Sequence, residues 1–374
     1  MTASAVADGR RVDAFGHVPA LEGIRGLAVV LVMAHHYLVG HRGLWVGVDV
    51  FFVLSGFLIT TGLLGRWSAG RPPRLGRFYA ARARRILPMM LVVVVAYVGV
   101  VYDRLGIGAA FPLDQILAIP YENVRSAIDG PVNPQMGHLW TIAAEVQFYL
   151  VWPLVLLGLL RLRVTSAGLF LGLVMVAVAG AGLRLGLSLQ GATWFSLYFS
   201  PATRFDGFFL GGAVGVLATH GTLRTSASMA QALRLLSPLA VAAIAWFATV
   251  GDVTADLAYR GGLLLATVAA AVLVAAGVAG ALGPLRIVVE TQPLRLLGRI
   301  SYSLYLWHLP MLAAVALWVP GKGWDRITAA AVASVLVSSA TYLWVERPFL
   351  GAAKLPAPAE PEESSVPEAE RPPP

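Results

Sequence analysis

The 374-residue sequence contains no cysteine and few charged residues. The absence of cysteine excludes disulfide bonds, zinc–thiolate sites and a cysteine-bound acyl intermediate. Charged residues make up 13% of the chain and hydrophobic residues 57%, whereas soluble domains carry roughly 25% charged residues. This composition indicates an integral membrane protein. The net charge is +8, and almost all of the basic residues are arginines. An excess of basic residues in cytoplasmic loops explains this charge better than nucleic-acid binding does.

The two ends of the chain differ in composition from the apolar middle. Residues 1–19 lack the apolar core of a secretory signal peptide, so we expect a cytoplasmic N-terminal segment. Residues 351–374 are rich in proline and glutamate and are predicted to form a disordered cytoplasmic tail. Residues 20–350 are predicted to form one all-α transmembrane domain, and no soluble catalytic domain is expected.

Apolar runs of helical length predict ten transmembrane helices. They lie near residues 21–41, 43–65, 86–102, 139–160, 164–183, 205–223, 235–251, 261–283, 300–319 and 327–345. With the N-terminus inside, inner segments carry 19 basic residues and outer segments eight, which predicts that both ends are cytoplasmic. Residues 106–128 are too polar for a simple span, and we expect an outer loop with an interfacial or re-entrant helix.

The first predicted span, LEGIRGLAVVLVMAHHY, carries an arginine and two histidines. Arg25 and His36 are eleven residues apart, which places them on one helix face, roughly 16 Å apart along the axis. His35 is turned about 80° away from His36 and need not share that face. Such residues are costly in a membrane and often functional, although an arginine can reach the headgroups and a histidine can be bonded within the bundle. The shared face favours a functional pair.

Polar residues also lie in and next to the second and third predicted spans. Asp49 and Ser55 lie among apolar residues of the second span, where the aspartate either orients a histidine or forms a structural ion pair. Arg82 and Arg85 lie one helical turn apart just before the third span. They are either topology signals or a site for the phosphates of a nucleotide-bearing donor.

The fourth and sixth spans carry further ionisable residues. His138 and Glu145 lie seven residues apart on one face of the fourth span. Arg204 and Asp206 are expected at the outer membrane edge, and the three glycines that follow at four-residue spacing indicate close helix packing. These pairs predict either ligand contacts or ion pairs between helices.

The stretch SYSLYLWHLP near the C-terminus combines Tyr302, Tyr305 and His308. Aromatic residues at the membrane interface explain the tyrosines, but they do not explain the histidine. His308 is therefore a further candidate for the site.

Seven stretches, in order, resemble the membrane acyltransferase-3 family, whose members are ten-span O-acyltransferases. Covering about residues 21–349, they are LEGIRG…HHY, GVDVFFVLSGFLIT, the arginine-rich loop ending RRILP, HLWTIAAEVQFYLVWP, RFDGFFLGG, SYSLYLWHLP and VERPF. The family's functional arginine–histidine pair corresponds to Arg25 and His36. Its two loop arginines correspond to Arg82 and Arg85, and the glutamate of its fourth span corresponds to Glu145.

The sequence departs from the family pattern at three positions. Glu22 replaces the usual aspartate of the opening motif, and Thr141 and Val146 replace a common serine and second glutamate. The resemblance implies transfer of an acyl group, commonly acetyl, from acyl-CoA to a hydroxyl. Acetyl-CoA is then a donor substrate, and no permanently bound cofactor or metal is expected.

The resemblance also implies roles for individual residues. We expect His36 to be the general base, because the ordinary histidine pKa near 6.5 lets it take a proton near neutral pH. Transient acylation of His36 is the less favoured alternative. Arg25 is expected to guide or neutralise the donor, and Glu145 to orient the histidine or bind the acceptor. The supporting or acceptor-binding residues are expected to be Asp49, Ser55, His138, Arg204, Asp206, Tyr302, Tyr305 and His308.

The acceptor class is left broad by the sequence. We expect a glycan, a lipid-linked sugar or a glycosylated secondary metabolite such as a macrolide. It is expected to enter from the outer side, near Arg204, Asp206 and residues 103–137. The expected location is the bacterial cytoplasmic membrane, with no nucleic-acid partner. A transporter or flippase without acyl transfer is the alternative, although the two halves lack the matching broken helices typical of that class.

Overall fold

The computed structural model describes residues 18–38, 43–71, 73–102, 119–130, 136–321 and 323–351. Within these residues there is no strand, which confirms the predicted all-α fold. The α-helices are α1 Pro19–Tyr37, α2 Gly47–Ser68, α3 Leu75–Ala96, α4 Glu122–Asp129, α5 Trp140–Arg161, α6 Ser166–Leu189, α7 Trp194–Phe199, α8 Pro201–Arg204, α9 Asp206–Thr219, α10 Thr222–Thr225, α11 Ala227–Val250, α12 Leu263–Ala279, α13 Leu285–Val289, α14 Gln292–Arg299, α15 Ser301–Ala316, α16 Trp324–Thr341 and α17 Arg347–Gly351.

Six helical stretches of the described chain are long and apolar enough to cross a membrane. They are Leu44–Ser68, Gly137–Arg161, Ser166–Leu189, Ala227–Val250, Ala258–Ala279 and Trp324–Leu350. Each overlaps a predicted span, so the structure has several helices with the length and composition of membrane spans where the sequence predicted them. The other four predicted spans correspond to α1, α3, α9 and α15, which are shorter or more polar. The count of ten stays a prediction.

The third helix differs most from its predicted span. It begins at Leu75 rather than near residue 86, so Arg82 and Arg85 lie on a helix and not in a loop. Arginine and alanine are good helix formers, and the run AARARR therefore extends the helix toward its N-terminus. Helix α4 overlaps the end of the expected outer loop, and its interfacial or re-entrant position stays a prediction. Residues 103–118 and 131–135 of the expected outer loop lie outside the described residues.

The second helix forms the centre of the bundle. In the most apolar stretch of this helix 78% of the residues are buried, whereas the corresponding stretches of α6 and α16 are only 17% buried. Helix α9 packs along α2 so closely that a Cβ atom on Gly211 would lie 2.0 Å from the carbonyl oxygen of Val53. A Cβ on Gly56 would lie 1.9 Å from the carbonyl oxygen of Phe208. Glycine is therefore required at this contact, as its spacing in α9 suggested.

The first helix is held beside α14 and α15. The Glu22 carboxylate accepts hydrogen bonds from the Nε atoms of Arg295 and Arg299, both at 3.1 Å. These contacts fix the N-terminal end of α1, and they set the direction in which Arg25 and His36 face the bundle. Residues 1–17 and 352–374 lie outside the described residues, so the expected N-terminal segment and disordered tail stay predictions.

Candidate active site

Two pockets lie back to back between the helices, and each has close to 750 Å³ of empty space (≈ 760 and ≈ 740 Å³). The arginine pocket is lined by residues that include Arg25, Ser55, Arg82, Arg85, Glu145, Tyr149, Ser301 and Tyr302. The histidine pocket is lined by residues that include His35, His36, Trp45, His138, Trp140, Trp194, Tyr198 and Phe199. Val48 and Tyr305 line both pockets and form the wall between them.

The arginine pocket gathers three guanidinium groups from two helices. Arg25 of α1 donates a hydrogen bond to the Ser301 hydroxyl at 3.0 Å. Arg82 of α3 lies over the rings of Phe78 and Tyr149, at 5.5 and 5.4 Å from their centres. Arg85 follows one turn later and lines the same space. The three cations make this pocket suited to a polyanionic ligand.

A short polar chain lies on one wall of the arginine pocket. The Ser55 hydroxyl donates to Glu145 Oε1 at 2.5 Å, and the Tyr149 hydroxyl donates to Ser55 Oγ at 3.3 Å. Glu145 does not line the histidine pocket. The structure places its carboxylate beside the arginines and Ser55, where it can balance their charge. Its expected role, to orient His36 or to bind the acceptor, stays a prediction.

The histidine pocket combines titratable rings with aromatic walls. His138 is only 4% exposed, and its ring nitrogens have only a backbone contact near Leu306 that falls short of a well-formed hydrogen bond. A buried polar group without a good partner indicates a place for a ligand or water. Burial raises the pKa of the Tyr198 hydroxyl, so it stays a neutral donor. No described group of histidine and carboxylate side chains has an arrangement that could hold a metal ion.

His308 lies behind the histidine pocket rather than in its lining. It is fully buried, and its ring centre lies 4.9 Å from that of His36 and 5.0 Å from that of His138. The ring of His35 lies 4.9 Å from His36, on the pocket side. The structure therefore brings four histidines together, three of which were candidates from the sequence. His35 shares the pocket with His36, which its direction on the helix did not require.

Asp49, Arg204 and Asp206 form buried ion pairs instead of contacting a ligand pocket. Arg204 Nη2 lies 3.1 Å from Asp49 Oδ1, and Arg184 Nη2 lies 2.8 Å from Asp206 Oδ2. All four side chains are at most 1% exposed. These contacts fit the structural alternative of ion pairs between helices, and the sugar site at Arg204 and Asp206 and the orienting role of Asp49 stay predictions. A charge inside the bundle needs an opposite charge, and pairing satisfies that need.

Arg204 supports the histidine pocket from behind. Its guanidinium lies within 5.0–5.8 Å of four ring centres. Three of these rings, Trp45, Trp140 and Tyr198, line the histidine pocket. Cation–π contacts and the Asp49 carboxylate together hold this arginine in an apolar place.

Two hydrogen bonds of its hydroxyl group hold the Tyr305 side chain in place between the two pockets. It donates to the carbonyl oxygen of His138 at 2.9 Å and accepts from the Thr141 hydroxyl at 2.7 Å. Thr141 is one of the positions at which the chain departs from the family pattern, and its hydroxyl retains a hydrogen-bonding role. Tyr302 lines the arginine pocket and donates to the carbonyl oxygen of Ile86 at 2.8 Å.

Several site residues were missed by sequence reasoning. Tyr149 and Ser301 in the arginine pocket, and Trp140 and Trp194 in the histidine pocket, were not candidates. Tyr149 follows Glu145 by four residues, a spacing that puts both on one helix face and gave a usable signal. Trp194 lies between predicted spans, and nothing local distinguished it from an interfacial tryptophan.

Comparison with known proteins gives the family. A family model described as an acyltransferase domain matches residues 18–343. The peptidoglycan O-acetyltransferase OatA of Listeria monocytogenes is 27% identical over 348 residues, which cover 89% of this chain and 56% of that protein. The putative peptidoglycan O-acetyltransferase YrhL of Bacillus subtilis is also 27% identical, over 89% of this chain and 55% of that protein.

A third relative, the O-acetyltransferase OatA of Staphylococcus aureus, is 28% identical over 80% of this chain and 51% of its own length. The chain thus spans about half the length of these curated relatives. No solved structure matches it. Since the family model covers most of the sequence, the protein belongs to the family defined by this acyltransferase domain.

Proposed function

We propose that the protein is a membrane-embedded O-acyltransferase that moves an acyl group, commonly acetyl, from acyl-CoA to a hydroxyl of a glycan or glycoside. The observation that carries this proposal is the pair of back-to-back pockets, one cationic and one aromatic with histidines, that share Val48 and Tyr305. A donor in one pocket and an acceptor in the other would meet at that wall.

The arginine pocket is the proposed donor site. Coenzyme A carries several phosphates, and Arg25, Arg82 and Arg85 supply the guanidinium groups that bind phosphate well. The pocket also has apolar walls, among them Phe51, Leu54 and Ile86, against which part of the thioester arm can pack. Ser55 and Glu145 then lie close to the arm and can hydrogen-bond its amides.

The histidine pocket is the proposed acceptor site. The apolar faces of a sugar ring can pack on aromatic rings such as Trp140 and Trp194, and its hydroxyls need hydrogen-bond partners. His138 and Tyr198 offer such partners. Among the residues that the structure describes, the lining contains no carboxylate and no arginine, which favours a neutral sugar over an ionic ligand. Two of the relatives are named for peptidoglycan, which is consistent with a glycan acceptor.

His36 is the proposed general base. It lines the acceptor pocket, and it can take the hydroxyl proton as the oxygen attacks the thioester carbon. The carbon–sulfur bond then breaks, and the thiolate receives the proton from His36. Arg25 neutralises donor charge on the other side of the wall. Acylation of His36 itself is the less favoured alternative, because it needs two transfers where direct attack needs one.

We further propose ten membrane spans with both ends in the cytoplasm of a bacterial cell, the protein lying in the cytoplasmic membrane. The excess of basic residues in the inner segments supports this orientation. Arg25, near the N-terminal end of α1, then opens the donor pocket to cytoplasmic acyl-CoA, and His36 near the other end faces an acceptor from the outer side.

The test uses the full chain in sealed proteoliposomes of known orientation with radiolabelled acetyl-CoA. Acceptors are a soluble peptidoglycan disaccharide fragment, a lipid-linked disaccharide and a glycosylated macrolide. We expect acetyl-CoA to be used only from the face carrying the N-terminus, with product on the opposite face. Product on the donor face alone would overturn the cross-membrane arrangement. Movement of an acceptor across the membrane without acetylation would identify a transporter instead.

A further inference from the structure

The backbone contacts of His36 and His308 determine which ring nitrogen of each histidine carries a hydrogen. His36 Nδ1 lies 2.9 Å from the carbonyl oxygen of Val32, and His308 Nδ1 lies 2.6 Å from the carbonyl oxygen of Tyr305. A carbonyl oxygen can only accept, so each Nδ1 must carry a hydrogen. A neutral imidazole carries one hydrogen, and both Nε2 atoms are therefore left with a free lone pair.

These two assignments make the contact between the rings directional. His308 Nε2 lies 3.2 Å from His36 Nδ1. Because His308 Nε2 has only a lone pair, it accepts from the Nδ1–H group of His36, which it shares with the Val32 carbonyl. The Nε2 atom of His36 has no hydrogen-bond partner among the described contacts. It is the nitrogen that remains for a ligand in the histidine pocket.

We propose that His36 Nε2 is the reacting nitrogen, and that His308 is a positioning residue that, together with the Val32 carbonyl, holds the orientation and tautomer of His36. This inference rests on the proposed acyl transfer. The acceptor O–H bond breaks, and its proton goes to His36 Nε2 as the oxygen forms a bond to the thioester carbon. The carbon–sulfur electron pair leaves with the thiolate, which then takes the same proton. The Nδ1–H bond stays intact and points at His308 throughout.

His308 acts through His36, because it does not touch the ligand space itself. It is fully buried and lines neither pocket. Its backbone carbonyl accepts from the Tyr37 hydroxyl at 2.8 Å, and its Nδ1 is held by the Tyr305 carbonyl. The ring has therefore little freedom to turn. When His36 gains its second proton, the neutral His308 ring accepts from a cation, and that hydrogen bond becomes stronger than the one in the resting state.

The kinetic test compares His308→Gln with His308→Met in the full chain in proteoliposomes. Glutamine and methionine have similar length and volume, but only glutamine offers an oxygen acceptor near the position of Nε2. With acetyl-CoA and the peptidoglycan disaccharide, we expect His308→Met to lower kcat by roughly tenfold to a hundredfold, since general-base catalysis contributes about 10²–10⁴-fold and depends on orientation. Both KM values should change less than threefold, and His308→Gln should keep most of the activity.

Binding of labelled coenzyme A to each variant reports whether the donor pocket is folded. Equal kcat values for the two variants, or a loss confined to KM, would overturn the positioning role. A wild-type protein that transfers no acetyl group would instead refute the proposed function.

A spectroscopic test needs no substrate. Nitrogen-15 spectra of histidine-labelled protein in membranes separate Nδ1–H from Nε2–H tautomers, and the His36 signal is assigned as the one lost in His36→Ala. We expect the Nδ1–H form for His36 in the wild type and in His308→Gln. In His308→Met the Val32 carbonyl still accepts from Nδ1, so we expect a partial loss of the Nδ1–H form. An Nε2–H form of His36 in the wild type would overturn the inference, whatever the activity.

Discussion

The two pockets share four helices but offer opposite chemistry. Helix α1 gives Arg25 to one pocket and His36 to the other, and Glu145 of α5 lines the first pocket, whereas His138, just before α5, lines the other. Helices α2 and α15 likewise contribute to both, while α3 lines only the arginine pocket and α7 only the histidine pocket. Because the shared helices pass both pockets, residues two or three turns apart along one face reach different pockets. A shared face therefore indicates a common path across the bundle and not a common contact.

Under the proposed function, the difference in charge between the pockets separates the donor site from the acceptor site. The arginine pocket has three guanidinium groups and a carboxylate, whereas the histidine pocket has neutral rings. A polyanionic donor is attracted to the first and gains nothing in the second. Substitutions in one pocket should consequently change the kinetics of one substrate and leave the other unaffected.

The largest effect is expected from His36→Ala. Removal of the general base should lower kcat by about 10²–10⁴-fold, with donor binding unchanged. The measurement is acetyl transfer at equal protein content in proteoliposomes, together with binding of labelled coenzyme A. His35→Ala is the control, since that ring lines the same pocket beside His36, and it should retain much of the activity. Equal losses in the two variants would show that position 36 has no special role.

The double substitution Arg82→Gln and Arg85→Gln should act on the donor alone. A hydrogen bond to a charged group contributes about 1.5–3 kcal/mol, so KM for acetyl-CoA should rise roughly 10- to 150-fold per residue. KM for the acceptor should stay within a factor of about two, because these side chains do not line its pocket.

Arg84→Gln is the matched control on the same helix, because Arg84 is exposed and does not line the pocket. Its KM for acetyl-CoA should equal that of the wild type. If all three arginines have the same small effect, they serve only to set membrane orientation.

Asp49→Asn should change stability more than substrate kinetics. It leaves the Arg204 guanidinium without its carboxylate in a fully buried position, and loss of one partner of a buried pair costs about 3–5 kcal/mol. The measurement is the thermal unfolding midpoint in detergent. Asp256→Asn is the control, because its pair with Arg260 is 67% exposed on the aspartate side and should be worth less than about 1 kcal/mol. Similar midpoints for both variants would contradict the supporting role of Arg204.

The sequence predicted the helical class and most apolar helices, because hydrophobic runs report directly on the membrane. It also brought Arg25, Arg82, Arg85 and Glu145 forward as candidates, and the structure places all four around one pocket. What it could not give was which charged residues pair with each other. Asp49 and Arg204 are 155 positions apart, and each has a plausible ligand-binding role when taken alone.

The position of the wall between the pockets was also beyond sequence reasoning. Val48 is an ordinary apolar residue of a span, and only its place in the folded bundle, where it lines both pockets with Tyr305, makes it a boundary. Likewise, the hydrogen-bond directions at His308 depend on two backbone carbonyl groups, and no side-chain pattern reports on these.

The smallest effect is expected where the acyl group meets this wall, at Val48. Val48→Ala removes two methyl groups from a side chain that lines both pockets, and it should make room for a longer acyl chain. One methylene in an apolar pocket contributes about 1–3 kcal/mol to discrimination between substrates. Because Val48 borders open space on two sides, we expect an effect near the lower end of this range. We therefore expect the ratio of kcat/KM for butyryl-CoA to that for acetyl-CoA to rise about five- to tenfold. Val53→Ala makes the same change on the same helix at a fully buried position that lines neither pocket, and it should leave this ratio unchanged. A rise in both variants would trace the effect to a looser bundle, and a rise in neither would mean that the acyl group does not pass Val48.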